Sequence, residues 1–290
     1  MLKIPCQWRQ CRTLLAIALV LLLSAGGATS SDGDPWSQVR GPVAGHAEAI
    51  GGFARGCLVG AQTLPADGPG YEVIHLERRR YYGHPDTVAF VERLGRATEA
   101  AGLPAFYVGD MAQARGGPLP YGHTSHQTGL DVDIWFTLAT QPRLAPAERE
   151  SISLPSMLQP NWQAVNPRRF GPRQVALLRL AASDPKVERI FVNPVIKTAI
   201  CRAAGPRDAP WLHKLRPWWR HDDHFHVRLH CPADSPDCES QAPIPPGDGC
   251  DSVLASWVRD QRPPPPPETE AAPRRLPVLP AACRAILAAP

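Results

Sequence analysis

Several features that define common protein classes are missing from this sequence of 290 residues. No two cysteines have the Cys-x-x-Cys spacing, so a zinc–thiolate cluster is disfavoured. The apolar run Leu14–Leu23 is too short to span a bilayer. No internal repeat is visible, which favours a single domain. Neither sign of charge dominates, because 31 Lys and Arg residues stand against 27 Asp and Glu residues.

The N-terminus has the pattern of a secretory signal peptide. Three basic residues, Lys3, Arg9 and Arg12, precede the apolar run, and the small residues of 24–30 follow it. We therefore expect residues 1–30 to be cleaved, with an uncleaved anchor as the alternative. Loss of the three basic residues leaves 28 basic and 27 acidic side chains. A mature chain so close to neutrality is not expected to bind nucleic acid, and we expect no membrane span in it.

Six cysteines remain in the expected mature chain: Cys57, Cys201, Cys231, Cys238, Cys250 and Cys283. An even number in an exported chain predicts three disulfides, formed in an oxidising compartment outside the cytoplasm. Spacing alone does not select one set of pairs. Cys231 and Cys238 close a short loop and are the easiest pair to propose.

Hydrophobic periodicity predicts a mixture of helices and strands. The three- to four-residue period of an amphipathic helix is found in residues 86–101 and 173–182. Alternating or β-branched segments predict strands at residues 71–76, 106–111, 187–192 and 224–230. The 34 prolines predict many loops, and residues 31–56 show no clear period. We expect an α+β fold, a single domain whose small antiparallel β-sheet core is flanked by helices and long disulfide-tied loops.

The residues that could carry chemistry are concentrated in two short segments, Gly122–Trp135 and His221–Val227. In the second segment, polar and apolar residues alternate as they do in a half-buried strand. His224 and His226 should therefore project from one face, with Phe225 between them pointing into the core.

In the first segment, the same alternation should place Asp131 and Asp133 together on one face. His126 precedes Gly129, where the chain can bend, so its side chain can turn back towards Asp133. His126, Asp133 and His226 then form a three-ligand set that leaves the fourth position of a zinc ion open for water. Either segment alone is weak evidence, since an Asp-x-Asp pair is often a solvated face and a His-x-His pair a coincidence. Together they predict a catalytic metal site.

These residues resemble a known group of zinc peptidases. The pattern of Ser125, His126, Gly129 and Asp133, followed by His224-x-His226, is similar to lysostaphin-type endopeptidases, D-Ala-D-Ala peptidases and the Hedgehog signalling domain. Within that group, the longer matches resemble the penicillin-insensitive murein endopeptidases. These matches are Gly122–Trp135, Trp218–Arg228, Gly56–Ala61, Gly68–Tyr71, Arg80–Pro85 and the six mature cysteines.

The resemblance implies roles for individual histidines. It implies zinc ligation by His126, Asp133 and His226, with His224 as the catalytic histidine and His221 assisting it. The family also has a second metal, which His123 would help to bind. The partners of that ion should follow the first segment, yet residues 151–172 contain no Asp and no His. We therefore expect one zinc ion per subunit, held by His126, Asp133 and His226, with His123 as an additional candidate ligand.

The resemblance also implies the disulfide pairing, and the five-proline run within residues 262–280 marks the division of the chain. The pairs would be Cys57–Cys283, Cys201–Cys250 and Cys231–Cys238. The zinc peptidase domain would occupy residues 31–261, and a proline-rich tail, 262–290, would be tied back by Cys283.

The implied activity is hydrolysis of D-alanyl–meso-diaminopimelyl cross-links between the stem peptides of peptidoglycan, in the periplasm. A metal-activated water needs no serine nucleophile, so penicillin should not inhibit it. No glutamate accompanies the ligands as in His-Glu-x-x-His proteases. His224 could therefore take the water proton or, as imidazolium, stabilise the oxyanion. The alternatives are a D,D-carboxypeptidase or dipeptidase with the same site, and a non-catalytic, zinc-stabilised wall-binding module. The sequence makes no prediction of oligomeric state.

Overall fold

The structure is a computed structural model that describes residues 34–139, 143–261 and 277–290. The expected signal peptide and residues 262–276 of the proline-rich tail lie outside these ranges. Within them, no helix combines the length and apolar character that a membrane crossing requires. The boundaries proposed between signal, domain and tail stay predictions.

The described residues form helices and strands that are interspersed along the chain. The helices are α1 (Pro35–Gln38), α2 (Pro85–Ala100), α3 (Pro146–Ser151), α4 (Pro172–Ser183), α5 (Pro194–Ala203), α6 (Ala209–Lys214), α7 (Ser252–Asp260) and α8 (Ala281–Ala288). The strands are β1 (Glu48–Gly52), β2 (Arg55–Val59), β3 (Gln62–Thr63), β4 (Asp67–Gly68), β5 (Tyr71–Val73), β6 (Tyr82–Gly83), β7 (Phe106–Val108), β8 (Asp131–Leu138), β9 (Val187–Val192), β10 (Leu215–Pro217) and β11 (His224–Leu229).

Seven strands form the main sheet, in the order β10-β9-β11-β8-β7-β5-β4. Its centre is antiparallel, because β11 pairs with both β8 and β9 in that sense and β7 pairs antiparallel with β8. Parallel pairs lie towards the edges, β10 with β9 and β5 with β7. The predicted α+β class is confirmed, and its antiparallel core is the central part of a larger mixed sheet.

The apolar face of the two central strands lies in the main core. Val132 and Ile134 of β8 and Phe225 and Val227 of β11 are fully buried. They share one hydrophobic cluster with residues of α2, α4 and α5. Full burial of such a side chain stabilises the fold by roughly 1.5–3 kcal/mol. The opposite face of β8 and β11 is thus held in place by the packing beneath it.

The two predicted helices are confirmed to within about a residue as α2 and α4, and helices of this chain have local reasons for where they start. Helix α2 begins where the His84 side chain accepts a hydrogen bond from the Asp86 N–H, with Pro85 at the first helical position. Asn193 caps α5 in the same way, accepting from the Val195 N–H.

Residues 31–56, for which the sequence shows no clear period, contain β1 and the first residues of β2, and these two strands pair as an antiparallel hairpin. A disulfide joins Cys57 of β2 to Cys283 of α8, and the other two disulfides are Cys201–Cys250 and Cys231–Cys238. These are the pairs that the resemblance implies. Arg115 adds a polar tie, because its guanidinium donates to the carbonyls of Ile286 and Ala289 at the end of α8.

Candidate metal centre

The polar face of the β8–β11 pair is the base of the candidate site. The register places His226 opposite Asp133, Arg228 opposite Asp131 and His224 opposite Trp135. Because side chains alternate along a strand, all these groups project from the face opposite the core. The pairing of two strands distant in sequence therefore brings the two polar segments together.

His126 reaches the same point from a loop rather than a strand. Its backbone is left-handed, with φ of 68°, and Gly129 follows with φ of 72°. A Cβ atom at Gly129 would lie 2.4 Å from Leu58 Cδ2, so this turn needs glycine. The Gly129 carbonyl accepts from the His84 N–H at 2.9 Å, which ties the turn to the start of α2. The His126 side chain ends fully buried, with Nε2 3.4 Å from Asp133 Oδ2.

Four side chains converge with one possible ligand atom each, all within 4.8 Å of one another: His123, His126, Asp133 and His226. His226 Nδ1 lies 3.1 Å from Asp133 Oδ1, and His123 Nε2 lies 3.4 Å from Asp133 Oδ2. His126, Asp133 and His226 are buried, whereas His123 is partly exposed on the groove side. This group could hold a metal ion.

Unpaired polar atoms support that interpretation. Both ring nitrogens of buried His126 lack a hydrogen-bond partner, as do Asp133 Oδ1 and His224 Nε2. A buried polar atom left without a partner typically costs about 1–3 kcal/mol. Imidazole nitrogens with one carboxylate oxygen form a donor set that suits a divalent transition metal. The residues present fit a metal ion, which would satisfy several of these atoms at once.

The Asp131 carboxylate holds Arg228 and the His126 backbone in position beside the ligand group. It accepts hydrogen bonds from Arg228 Nε at 2.7 Å and Nη2 at 3.1 Å, and from the His126 N–H at 2.9 Å. Its Oδ1 also lies 3.2 Å from His226 Nε2. Burial raises the pKa of Asp131, but Arg228 and His226 outweigh it and hold that pKa well below its usual range. The carboxylate stays ionised and directs His226 Nδ1 towards Asp133.

His224 is paired with an acid outside the ligand group. Its Nδ1 lies 2.5 Å from Asp223 Oδ1, and its Nε2 lies 3.8 Å from Asp133 Oδ1. Burial lowers the pKa of His224, but Asp133 and Asp223 outweigh burial and raise it to about 9. The ring therefore favours the imidazolium form below that pH, and its Nε2 faces the site.

His221 completes the cluster and has the opposite electrostatic character. Burial, then His224 and His226, hold its pKa well below the ordinary value. Its Nδ1 lies 2.8 Å from the Trp219 carbonyl oxygen, so Nδ1 carries the proton and Nε2 is an acceptor. His221 and His224 form, with His123, a second three-residue group within 4.8 Å. His123 thus stands between the two groups.

The turn that carries His221 is strained and firmly held. Arg220 and His221 both have left-handed backbones, with φ of 58° and 49°. Asn193 holds them twice: its side-chain amide donates to the Arg220 carbonyl, and its N–H donates to the His221 carbonyl, both at 2.9 Å. Asn193 could not be identified from sequence patterns. Its hydrogen bonds join it to residues that are distant in the sequence, and hydrophobic periodicity does not report contacts of that kind.

A groove of about 540 Å³ opens onto the cluster. Its wall includes His123, His221, His224 and His226 together with Phe191, Trp218 and Trp219. The arrangement offers buried ligand atoms at the base, two further histidines beside them and an open approach for an extended substrate.

Comparison with known proteins gives a consistent family. A family model described as penicillin-insensitive murein endopeptidase matches residues 49–288. A protein of that name from Klebsiella pneumoniae is 44% identical over 271 residues, which are 93% of this chain and 96% of the relative. One from Haemophilus influenzae is 45% identical over 258 residues, 88% of each chain. One from Escherichia coli O1:K1 is 43% identical over 272 residues, 94% of this chain and 97% of the relative.

Proposed function

The chain belongs to the penicillin-insensitive murein endopeptidase family, and from that premise we propose that it is a zinc-dependent peptidase of peptidoglycan. Its substrate would be the D-alanyl–meso-diaminopimelyl cross-link between stem peptides, and its compartment the periplasm. The observation that carries the proposal is the buried group of His126, Asp133 and His226 beneath an open groove. Three disulfides fit an oxidising compartment.

The proposed ligands are His126, Asp133 and His226, because they are buried and each offers a possible ligand atom within 4.8 Å of the others. His123 is a weaker candidate, since it lies on the groove side and also belongs to the group with His221 and His224. Zinc bound by the three ligands would polarise the scissile carbonyl and lower the pKa of a water molecule. One ion is proposed, because residues 151–172 contribute neither Asp nor His.

His224 is the proposed general base. Asp223 at Nδ1 leaves Nε2 facing the site and stabilises the imidazolium form. A cation held by Asp133 would offset the charge that raises the pKa of His224, so that Nε2 can accept a proton from water. The protonated ring can then deliver that proton to the leaving amine. His221 stays neutral with Nε2 as an acceptor, so it can orient a water or substrate N–H.

Metal content and turnover separate these roles. His126→Ala, Asp133→Ala and His226→Ala should lose zinc and activity together. His224→Ala should retain zinc, while kcat on a purified cross-linked muropeptide dimer falls by roughly 10²–10⁴-fold. His46→Ala is the matched control, because His46 is an exposed histidine paired with Asp234 outside the groove.

The products separate the proposed activity from its rivals. An endopeptidase converts the dimer into two monomers, whereas a carboxypeptidase or dipeptidase releases free D-alanine. Turnover should be unaffected by penicillin and abolished by chelation. Free D-alanine as the sole product, or full turnover by any of the three ligand variants, would contradict the proposal.

A further inference from the structure

The groove is bordered on one side by exposed tryptophans. In the described part of the chain only five large apolar side chains are exposed, and Trp218 and Trp219, at 50% and 40%, are two of them. Both rings rest on Trp257 of α7, with centroid distances of 5.9 Å and 4.7 Å. Phe191 contacts the Trp218 ring at 5.5 Å. We name these four rings the tryptophan shelf.

The shelf is held in position before any ligand arrives. The Trp218 N–H donates to the Val192 carbonyl at 2.9 Å, and the Trp219 carbonyl lies 2.8 Å from His221 Nδ1. Asn193 fixes the strained residue that follows. Aromatic side chains on a rigid backbone lose little conformational entropy when a ligand binds. An exposed aromatic patch of this kind is typical of a binding surface.

The composition of the groove indicates what the shelf binds. The aromatic rings share the groove with the polar side chains of Thr124, Ser125, Arg220 and Gln241. Among the described residues that line it, none is Leu, Ile, Val or Met. An apolar helix or acyl chain would be matched by aliphatic walls. Flat aromatic faces beside hydroxyl, amide and guanidinium groups match a pyranose ring, whose C–H face meets the negative face of an indole and whose hydroxyl and amide groups need hydrogen bonds.

We propose that the tryptophan shelf is a saccharide subsite, which binds a sugar ring of the glycan strand beside the peptide being cut. The shelf is continuous with the groove over His221, His224 and His226, so one substrate can occupy both. This inference rests on the proposed function, because a peptidoglycan substrate supplies the sugar.

A binding measurement tests the shelf independently of catalysis. The probe is peptidoglycan glycan strands from which an amidase has removed the stem peptides, titrated against the full chain. Trp218→Ala and Trp219→Ala should each weaken binding by roughly three- to tenfold, and Trp218→Phe should retain most of it. Val253→Ala is the control, since Val253 is an exposed apolar residue on the same helix as Trp257. Wild type that does not bind the glycan, or alanine variants that bind as wild type does, would overturn the inference.

A kinetic comparison then places the subsite in the reaction. Two cross-linked dimers are compared, one carrying its disaccharides and one without sugar, using variants whose thermal unfolding midpoints match wild type. Trp218→Ala should lower the ratio of kcat/KM for the sugar-bearing dimer over the sugar-free dimer by the same three- to tenfold, through KM. An unchanged ratio would show that the shelf does not contact the sugar during turnover and would overturn the inference. A chain that binds glycan yet cuts neither dimer would overturn only the proposed function.

Discussion

Replacing Asp131 with asparagine should lower the free energy of unfolding by about 3–5 kcal/mol, because it leaves a buried guanidinium without its counter-charge. Asp131 is fully buried, and its partner Arg228 is nearly so. Asparagine keeps the shape and one acceptor oxygen. Its NH₂ group, however, must face donors: Arg228 Nη2 and the His126 N–H if it replaces Oδ2, or Arg228 Nε if it replaces Oδ1.

The magnitude follows from the contacts that are lost. Three hydrogen bonds reach this carboxylate, two of them from a guanidinium. Hydrogen bonds to charged groups contribute about 1.5–3 kcal/mol each, and part of this is offset because the buried charge of Asp131 no longer has to be desolvated. Arg228 keeps its contact with Gln241 and its stacking on Phe53, 4.0 Å from the ring centroid. These remaining contacts limit the loss.

The assay is denaturant unfolding at pH 7 with the disulfides intact and a chelator present, so that metal binding does not contribute. A double-mutant cycle with Arg228→Met should give a coupling energy of at least about 1.5 kcal/mol. Glu239→Gln is the control, because its ion pair with Arg55 at 2.9 Å is exposed and should contribute less than about 1 kcal/mol. Additive effects of the two core substitutions, to within about 0.5 kcal/mol, would refute the reasoning.

Asp131→Asn should also change how the free energy of unfolding depends on pH in the acid range. Although burial raises the pKa of Asp131, Arg228 and His226 hold it well below the unfolded value. A depressed pKa contributes stability above the unfolded pKa, near 4, that is lost as the pH falls below it. The stability difference between wild type and Asp131→Asn should therefore shrink below about pH 4. A difference that stays constant down to pH 2 would contradict this assignment.

Three further predictions concern other parts of the molecule. Asn193→Asp keeps the cap on α5 but loses the amide donor to the Arg220 carbonyl, so kcat should fall with zinc content unchanged. Lys197 is buried, with its amine donating to the Leu215 carbonyl; burial, then Arg216, lowers its pKa to about 8. Because the folded pKa lies below the unfolded 10.5, the stability of wild type relative to Lys197→Met should rise between pH 8 and 10.5, by up to about 3 kcal/mol. Chelation should abolish turnover and lower the thermal midpoint, and added zinc should restore both.

Each of these has an outcome that would count against it. Wild-type kcat in Asn193→Asp would mean that the turn bearing His221 does not need the hydrogen bond from the Asn193 side-chain amide. A pH-independent difference between wild type and Lys197→Met would mean that the amine is no harder to protonate in the fold than in the unfolded chain. Chelated protein with full turnover would remove the metal from the reaction.

The parts of the site that follow a local pattern could be predicted from sequence. His224, His226, Asp131 and Asp133 alternate with apolar residues, and the period of two that puts Val132 and Phe225 in the core also puts the polar groups on one face. No local sequence pattern specifies the antiparallel register that sets His226 opposite Asp133. The sequence predicts that the ligands converge, but it does not predict the register that brings them together.

The parts that depend on long-range packing could not be predicted. The β1–β2 hairpin is glycine-rich and has no clear period, and it is held by contacts that include the disulfide from Cys57 to α8. The second role of Asn193 could not be predicted, because the sequence pattern of a helix cap is the same whether or not the side-chain amide also donates to a distant turn. Trp257 likewise gains its role only when α7 packs against Trp218 and Trp219.

The register between β8 and β11 sets where this protein can tolerate insertions. One residue added inside either strand would exchange its two faces beyond that point. On β11, such a change near the start would turn His226 into the core and Phe225 or Val227 into the groove, removing the ligand and the packing in one step. Loops around the groove have no such parity, so their lengths can change without exchanging the two faces, whereas a single-residue insertion between His224 and His226 cannot be accommodated in this way.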